Sequence, residues 1–97
     1  MKIEIKNIIA TFQRVIRACN GTTAQNVPQQ MLYIVGICGF MAYEVNKQYG
    51  KGMPYCNLMN IIQLASETTT GNFAHKVATI RGLCRRNIDF FKEYGVG

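Results

Sequence analysis

Acidic residues, histidine and closely spaced cysteines are all scarce in this chain, and each scarcity removes a class of chemistry. The five carboxylates are scattered at Glu4, Glu44, Glu67, Asp89 and Glu93. No two form the positioned pair that general acid–base catalysis needs. His75 is the only histidine, so neither a His–His nor a His–Glu metal pair is available. The four cysteines, at positions 19, 38, 56 and 84, include no C-x-x-C pair, which argues against structural zinc. No Gly-rich phosphate loop is present, because Gly50-Lys-Gly52 is too short and lacks a strand-to-helix setting. No cysteine stands beside a histidine in a nucleophile–base arrangement. The expectation is a protein that is not an enzyme and uses no metal or cofactor.

Long apolar runs are also missing. The uncharged stretch from Met31 to Tyr43 is well short of the roughly 20 residues that a spanning helix needs, so it reads as a buried helix and not as a membrane segment. The opening Met1-Lys-Ile-Glu has mixed charges and runs straight into an amphipathic segment, unlike a secretory leader. A cytoplasmic location, in a bacterial cell or a phage-infected host, is therefore expected, with all four cysteines as buried free thiols.

Charge itself is sparse, at 16% of residues, and lopsided: eleven Lys or Arg against five Asp or Glu give a net charge of +6. A thinly charged surface on a small chain points to partial cover by a partner, often a second copy. The basic excess favours a polyanionic partner.

Residues 1–97 are read as one helical domain without internal repeats. Ile5, Ile8, Ile9, Phe12, Ile16 and Cys19 recur at three- and four-residue steps and predict a helix over 3–19. Asn20-Gly21 ends it, through the glycine's tolerance of left-handed backbone. Asn26 as N-cap and Pro28 in the first turn open a second helix over 28–49. Its middle is apolar around most of its circumference, which places it at the centre of the fold or in a subunit interface. Gly36 and Gly39 either admit another helix or are tolerated imperfections. Tyr33 and Tyr43 are expected to pack inside. Tyr49, Tyr55 and Tyr94, near helix ends, would keep their hydroxyls in water.

Leu58, Ile61, Ile62 and Ala65 predict a third helix over 54–65, and Phe73, Val77, Ile80 and Cys84 a fourth over 69–81, N-capped near Thr69 or Thr70. Ile88 and Phe91 extend the same apolar line, but Gly82 argues for a break and a separate last helix over 83–94. A short helix, a hydroxyl-rich turn and a second helix with polar outer positions are the ingredients of a helix-turn-helix. The outer face of the second helix offers Thr69, Asn72, His75 and Lys76 to bases and Arg81, Arg85 and Arg86 to phosphates, and Thr70 counts with them as a DNA-binding residue. Amides near Thr68 to Thr70 would suit a phosphate oxygen.

The order of segments in 26–82 resembles the winged-helix domain of MarR-type regulators, including the compact forms encoded by phages. Asn26-Val-Pro-Gln-Gln-Met-Leu-Tyr-Ile-Val35 is similar to that family's helix opening before an apolar run. Gly52-Met-Pro-Tyr-Cys-Asn-Leu58 is similar to its lead into the motif, and Thr68 to Ile80 resembles its recognition helix. The resemblance implies a mainly α fold of winged-helix type, a transcriptional regulator, and a homodimer on double-stranded DNA joined through its first and last helices. The chain departs from the family in a longer turn between Ile62 and Phe73, and in a helical pattern over Cys84 to Tyr94, where the family has its β wing. The wing is thus expected to be short or absent. The alternative from the residues is a small helical protein, like phage inhibitors, that binds and blocks another protein through its apolar second helix.

Overall fold

A computed structural model describes residues 3–94, except the side chain of Tyr94. Four helices follow one another: α1 (Ile5–Asn20), α2 (Val27–Tyr49), α3 (Tyr55–Ser66) and α4 (Phe73–Tyr94). No strand occurs among the described residues, so the stretch where a wing would stand is helical. No helix among them is long and apolar enough to cross a membrane.

Each helix buries one stripe. Ile8, Phe12 and Val15 of α1, Ile34, Cys38 and Val45 of α2, Leu58 and Ile61 of α3, and Ile80 and Cys84 of α4 are shielded from solvent in one core. Every helix packs on two others. The α1–α4 and α2–α3 seams are the extensive ones, the α1–α2 and α3–α4 seams are smaller, and the diagonal pairs barely touch. The helices therefore form a closed ring in which α2 and α4 lie across from each other. Their outward faces look to opposite sides of the molecule.

Contrary to the expectation from sequence, the ring is an internal repeat. Residues 46 apart occupy equivalent places: Phe12 and Leu58, Val15 and Ile61, Cys19 and Ala65, Met31 and Val77, Ile34 and Ile80, Cys38 and Cys84, Ala42 and Ile88, Val45 and Phe91 are all buried. The turns repeat bond for bond. Thr22 Oγ1 donates to the Ala18 carbonyl at 2.8 Å, and Thr68 Oγ1 to that of Leu64 at 2.7 Å. The Thr23 and Thr69 amides donate to Asn26 Oδ1 and Asn72 Oδ1, each at 2.7 Å. Asn26 Nδ2 donates to the Gly21 carbonyl at 2.9 Å, and Asn72 Nδ2 to that of Glu67 at 3.1 Å.

Exchanging α1 with α3 and α2 with α4 converts one large seam into the other, so the two hairpins are related by an approximate two-fold rotation. A translational stack would leave no α1–α4 seam. Ile3 and Tyr49, again 46 apart, meet directly: Tyr49 Oη donates to the Ile3 carbonyl at 2.7 Å. Contact between two such mates is what a position near a two-fold axis requires.

Several expectations are corrected. α4 runs unbroken through Gly82, where the sequence pattern predicts separate helices over 69–81 and 83–94. Burial of Cys84, Ile88 and Phe91 on the same core outweighs a glycine cost of about 1 kcal/mol. The helix starts at Phe73, after Asn72, so Thr69 and Thr70 lie in the turn. Gly21 ends α1 with φ −90°, not in the left-handed region, whereas Gly50, which ends α2, has φ +82°. Asn26 stands at the N-cap position, but its carboxamide is turned back into the loop. Cys56 is exposed, and only Cys19, Cys38 and Cys84 are buried. Tyr33 and Tyr43 are exposed rather than packed, since α2 has only one stripe to bury. The Tyr49 hydroxyl is bonded within the chain; the ring of Tyr94 lies outside the described residues.

Candidate nucleic-acid interface

The residues expected to meet DNA separate into three groups. The first belongs to the turn. Asn72 spends its side-chain oxygen on the Thr69 amide and its nitrogen on the Glu67 carbonyl. The Thr68 amide donates to the Ala65 carbonyl at 3.1 Å. The amides of Thr68 and Thr69 are thus occupied within the turn. Asn26 makes the same bonds in the α1–α2 turn, so the arrangement closes both helical hairpins. Thr69 and Thr70 remain exposed.

Lys76 forms a group of its own. It is half-buried, and its Nζ lies 3.3 Å from Glu67 Oε1. Gln63 Nε2 donates to Glu67 Oε2 at 2.8 Å. The Gln63 hydrogen bond first, then the bond and charge of Lys76, hold the Glu67 carboxyl below its ordinary range. Lys76 is a partner of the α3–α4 turn, and its charge is already matched.

The third group is a surface. At 100° per residue, His75 and Arg86 share the middle of the outward face of α4, separated by about 16 Å along its axis. Both are exposed. Arg81 and Arg85, one turn apart, form the flank toward α1. Arg81 Nη1 donates to Asn20 Oδ1 at 3.2 Å, which fixes that flank against the C-terminal end of α1. Arg17, three residues before Asn20 and exposed, faces the same side of α1. Arg17, Arg81 and Arg85 thus form a basic strip along the α1–α4 seam, and Arg86 stands beside it on the outward face, toward α3. Sequence alone does not single out Arg17, because its adjacency to Arg81 exists only once α1 and α4 are packed.

No carboxylate lies between Glu67 and Asp89 in the sequence, and exposed Asp89 stands one turn beyond Arg85 and Arg86 on α4. The ion pairs among the described residues are Lys6–Glu4 and Lys76–Glu67, and neither involves the strip. Beside it, Met53, Asn57, Leu83, Arg86, Asn87 and Phe90 line an open depression of about 220 Å³, below the roughly 300 Å³ at which small-molecule sites begin. Its floor is tied by a hydrogen bond from Asn57 Nδ2 to Asn87 Oδ1, and Asn87 Nδ2 donates to the Leu83 carbonyl at 2.7 Å. No group of three or more metal-ligating side chains occurs among the described residues.

Comparison with family models, with characterised proteins and with solved structures gives no match to this chain. The functional reading therefore stands on the geometry of the strip.

Proposed function

We propose that the protein binds double-stranded DNA through the outward face of α4 and the adjoining edge of α1. One observation carries this reading: Arg85 and Arg86 are exposed on α4, outside the ion pairs of the described residues and beside Arg81 and Arg17, in a chain of net charge +6 whose α4 carboxylates, Asp89 and Glu93, are confined to the last two turns of the helix. The α4 helix is about 33 Å long. In this reading the arginines supply salt-dependent affinity through phosphates, and His75 with Thr79 provides what base contact there is. Asn72 and Lys76 are removed from the contacts because the turn uses them. Regulation of transcription by occupancy of a site is the biological consequence we propose, as in the MarR-type proteins that the sequence resembles.

Fluorescence anisotropy with a random-sequence duplex across a salt series tests it. Binding that weakens with salt is expected. Arg85→Ala, Arg86→Ala and Arg17→Ala should each reduce the slope by about 0.9, the amount that one neutralised phosphate contributes. Lys76→Ala should leave the slope nearly unchanged. Absence of binding at low salt would end the proposal. The second reading, a module that binds and blocks another protein, is favoured by the exposed apolar side of α2.

A further inference from the structure

We infer that the outward face of α2 is a homodimer interface in which two copies cross antiparallel at Gly36. The inference is independent of the DNA reading, because α2 and α4 face opposite ways.

The α2 helix is apolar on both sides, and the core uses only one. Leu32 is 74% exposed, Phe40 67%, Tyr43 63% and Tyr33 42%. These four surround Gly36, which is itself exposed. A Cβ built on Gly36 or Gly39 would meet nothing within 4 Å, so the chain's own packing does not require glycine there. No charged residue occurs on α2 before Glu44.

Two observations identify a second copy as the occupant. The first is the symmetry of the stripe. Gln29, Leu32, Gly36, Phe40 and Tyr43 stand at −7, −4, 0, +4 and +7 from Gly36. A two-fold axis through Gly36 therefore sets Leu32 of each copy against Phe40 of the other, and Gln29 against Tyr43, as an isologous interface demands. Leu32, Gly36 and Phe40 form an i±4 row, and two such rows interdigitate at about −50°. The missing side chain at Gly36 lets the helix axes approach at the crossing.

The second is area. At the exposures above, and with about 200–250 Å² for each fully exposed large side chain, the four residues offer about 500–600 Å² per copy. Pairing two copies would then bury about 1,000–1,200 Å² before any neighbouring residue is counted, which clears the roughly 1,000 Å² that a specific interface needs. The pairing is also free of like-charge conflict in a +6 chain, because the stripe is uncharged as far as Tyr43. Lys47, beyond it, lies 5.2 Å from the Tyr43 ring centroid, at the rim.

Sedimentation velocity or light scattering on the full chain at micromolar concentrations tests this. The wild type should have the mass of a dimer. L32E and F40K should each weaken association at least tenfold while helix content and urea midpoint are retained, since both side chains point to solvent. The double variant L32E/F40K should regain a dimer that dissociates with added salt, because antiparallel pairing rebuilds an acid–base pair on each side of the axis. A monomeric wild type at about 100 μM would overturn the inference, whether the face then proved to bind anionic vesicles or another protein. So would a dimer indifferent to both single substitutions, or a double variant no more associated than the singles. DNA binding by a monomer, or a dimer that ignores DNA, would separate the failure of one reading from that of the other.

Discussion

Asn26 and Asn72 offer a matched pair of perturbations, because each stands in the same turn and the sequence pattern assigns one of them to DNA. Replacement by alanine removes two hydrogen bonds at either site: the acceptor for an amide at 2.7 Å, and the donor to a carbonyl at 2.9 Å for Asn26 or 3.1 Å for Asn72. Net contributions of such bonds are about 1 kcal/mol each, less where water can replace the partner. Both asparagines are half-buried, so Asn26→Ala and Asn72→Ala should each cost about 1–2 kcal/mol. For a chain of this length that lowers Tm by about 5–10 °C and moves the urea midpoint by about 1 M at unchanged m-value. The chain has no tryptophan, so far-UV circular dichroism of the helices is the signal. Asn72→Asp should recover part of the stability by keeping the acceptor, while setting a carboxylate against the Glu67 carbonyl. Equivalence of the two turns is refuted if Asn26→Ala destabilises and Asn72→Ala does not. It is refuted equally if Asn72→Ala lowers DNA affinity tenfold in protein as stable as the wild type, for then Asn72 would touch DNA and not close the hairpin.

Three further outcomes are expected. Gly82→Ala should raise stability by about 0.5–1 kcal/mol in urea titration, since α4 is helical through this position and a Cβ there would meet only Arg86 Nη1 at an ordinary 3.7 Å. A chromogenic thiol reagent should react quickly with Cys56 alone in native protein and with all four cysteines in denaturant. Burial pushes the Cys19 thiol up to about 11 and, with help from nearby Cys19, the Cys38 thiol up to about 12, both from 9.0. The unfolded chain therefore releases these protons first as pH rises. Stability should be fully present below pH 9 and decline from there toward pH 11–12, and Cys38→Ala should flatten the decline in urea midpoints measured between pH 8 and 10.5.

The helices are legible in the sequence because burial of one stripe is a local property: Ile8, Phe12 and Val15 announce α1 at three- and four-residue steps, and Phe73, Val77, Ile80 and Cys84 announce α4. The repeat is hard to see because many of the matched positions that face outward have diverged. Phe40 corresponds to Arg86, Val35 to Arg81 and Gly39 to Arg85, so the halves differ most in the residues that catch the eye. Its signal lies in Ile16 and Ile62, Thr22-Thr23 and Thr68-Thr69, Asn26 and Asn72, Ile34 and Ile80, Gly36 and Gly82, and Cys38 and Cys84, in register without a gap. At the candidate site, periodicity is enough to place Arg81, Arg85 and Arg86. It does not reveal the engagement of Asn72 and Lys76, which depends on where the turn aims its carbonyls and on the position of Glu67. The exposure of Tyr33 and Tyr43 is hidden for a related reason: hydrophobicity marks what a helix can bury, not what its neighbours cover.

The two-fold arrangement bears on how the chain finds its partner halves. The α1–α4 and α2–α3 seams join one hairpin to the other, and the hairpins are connected only through residues 50–54. Hairpins of two molecules would meet through the same seams if exchanged, so what favours closure within one chain is local concentration. A short linker holds two units at an effective concentration in the millimolar range. Residues 50–54 therefore act as a tether whose reach sets the balance between a ring closed on itself and one closed by exchange of hairpins.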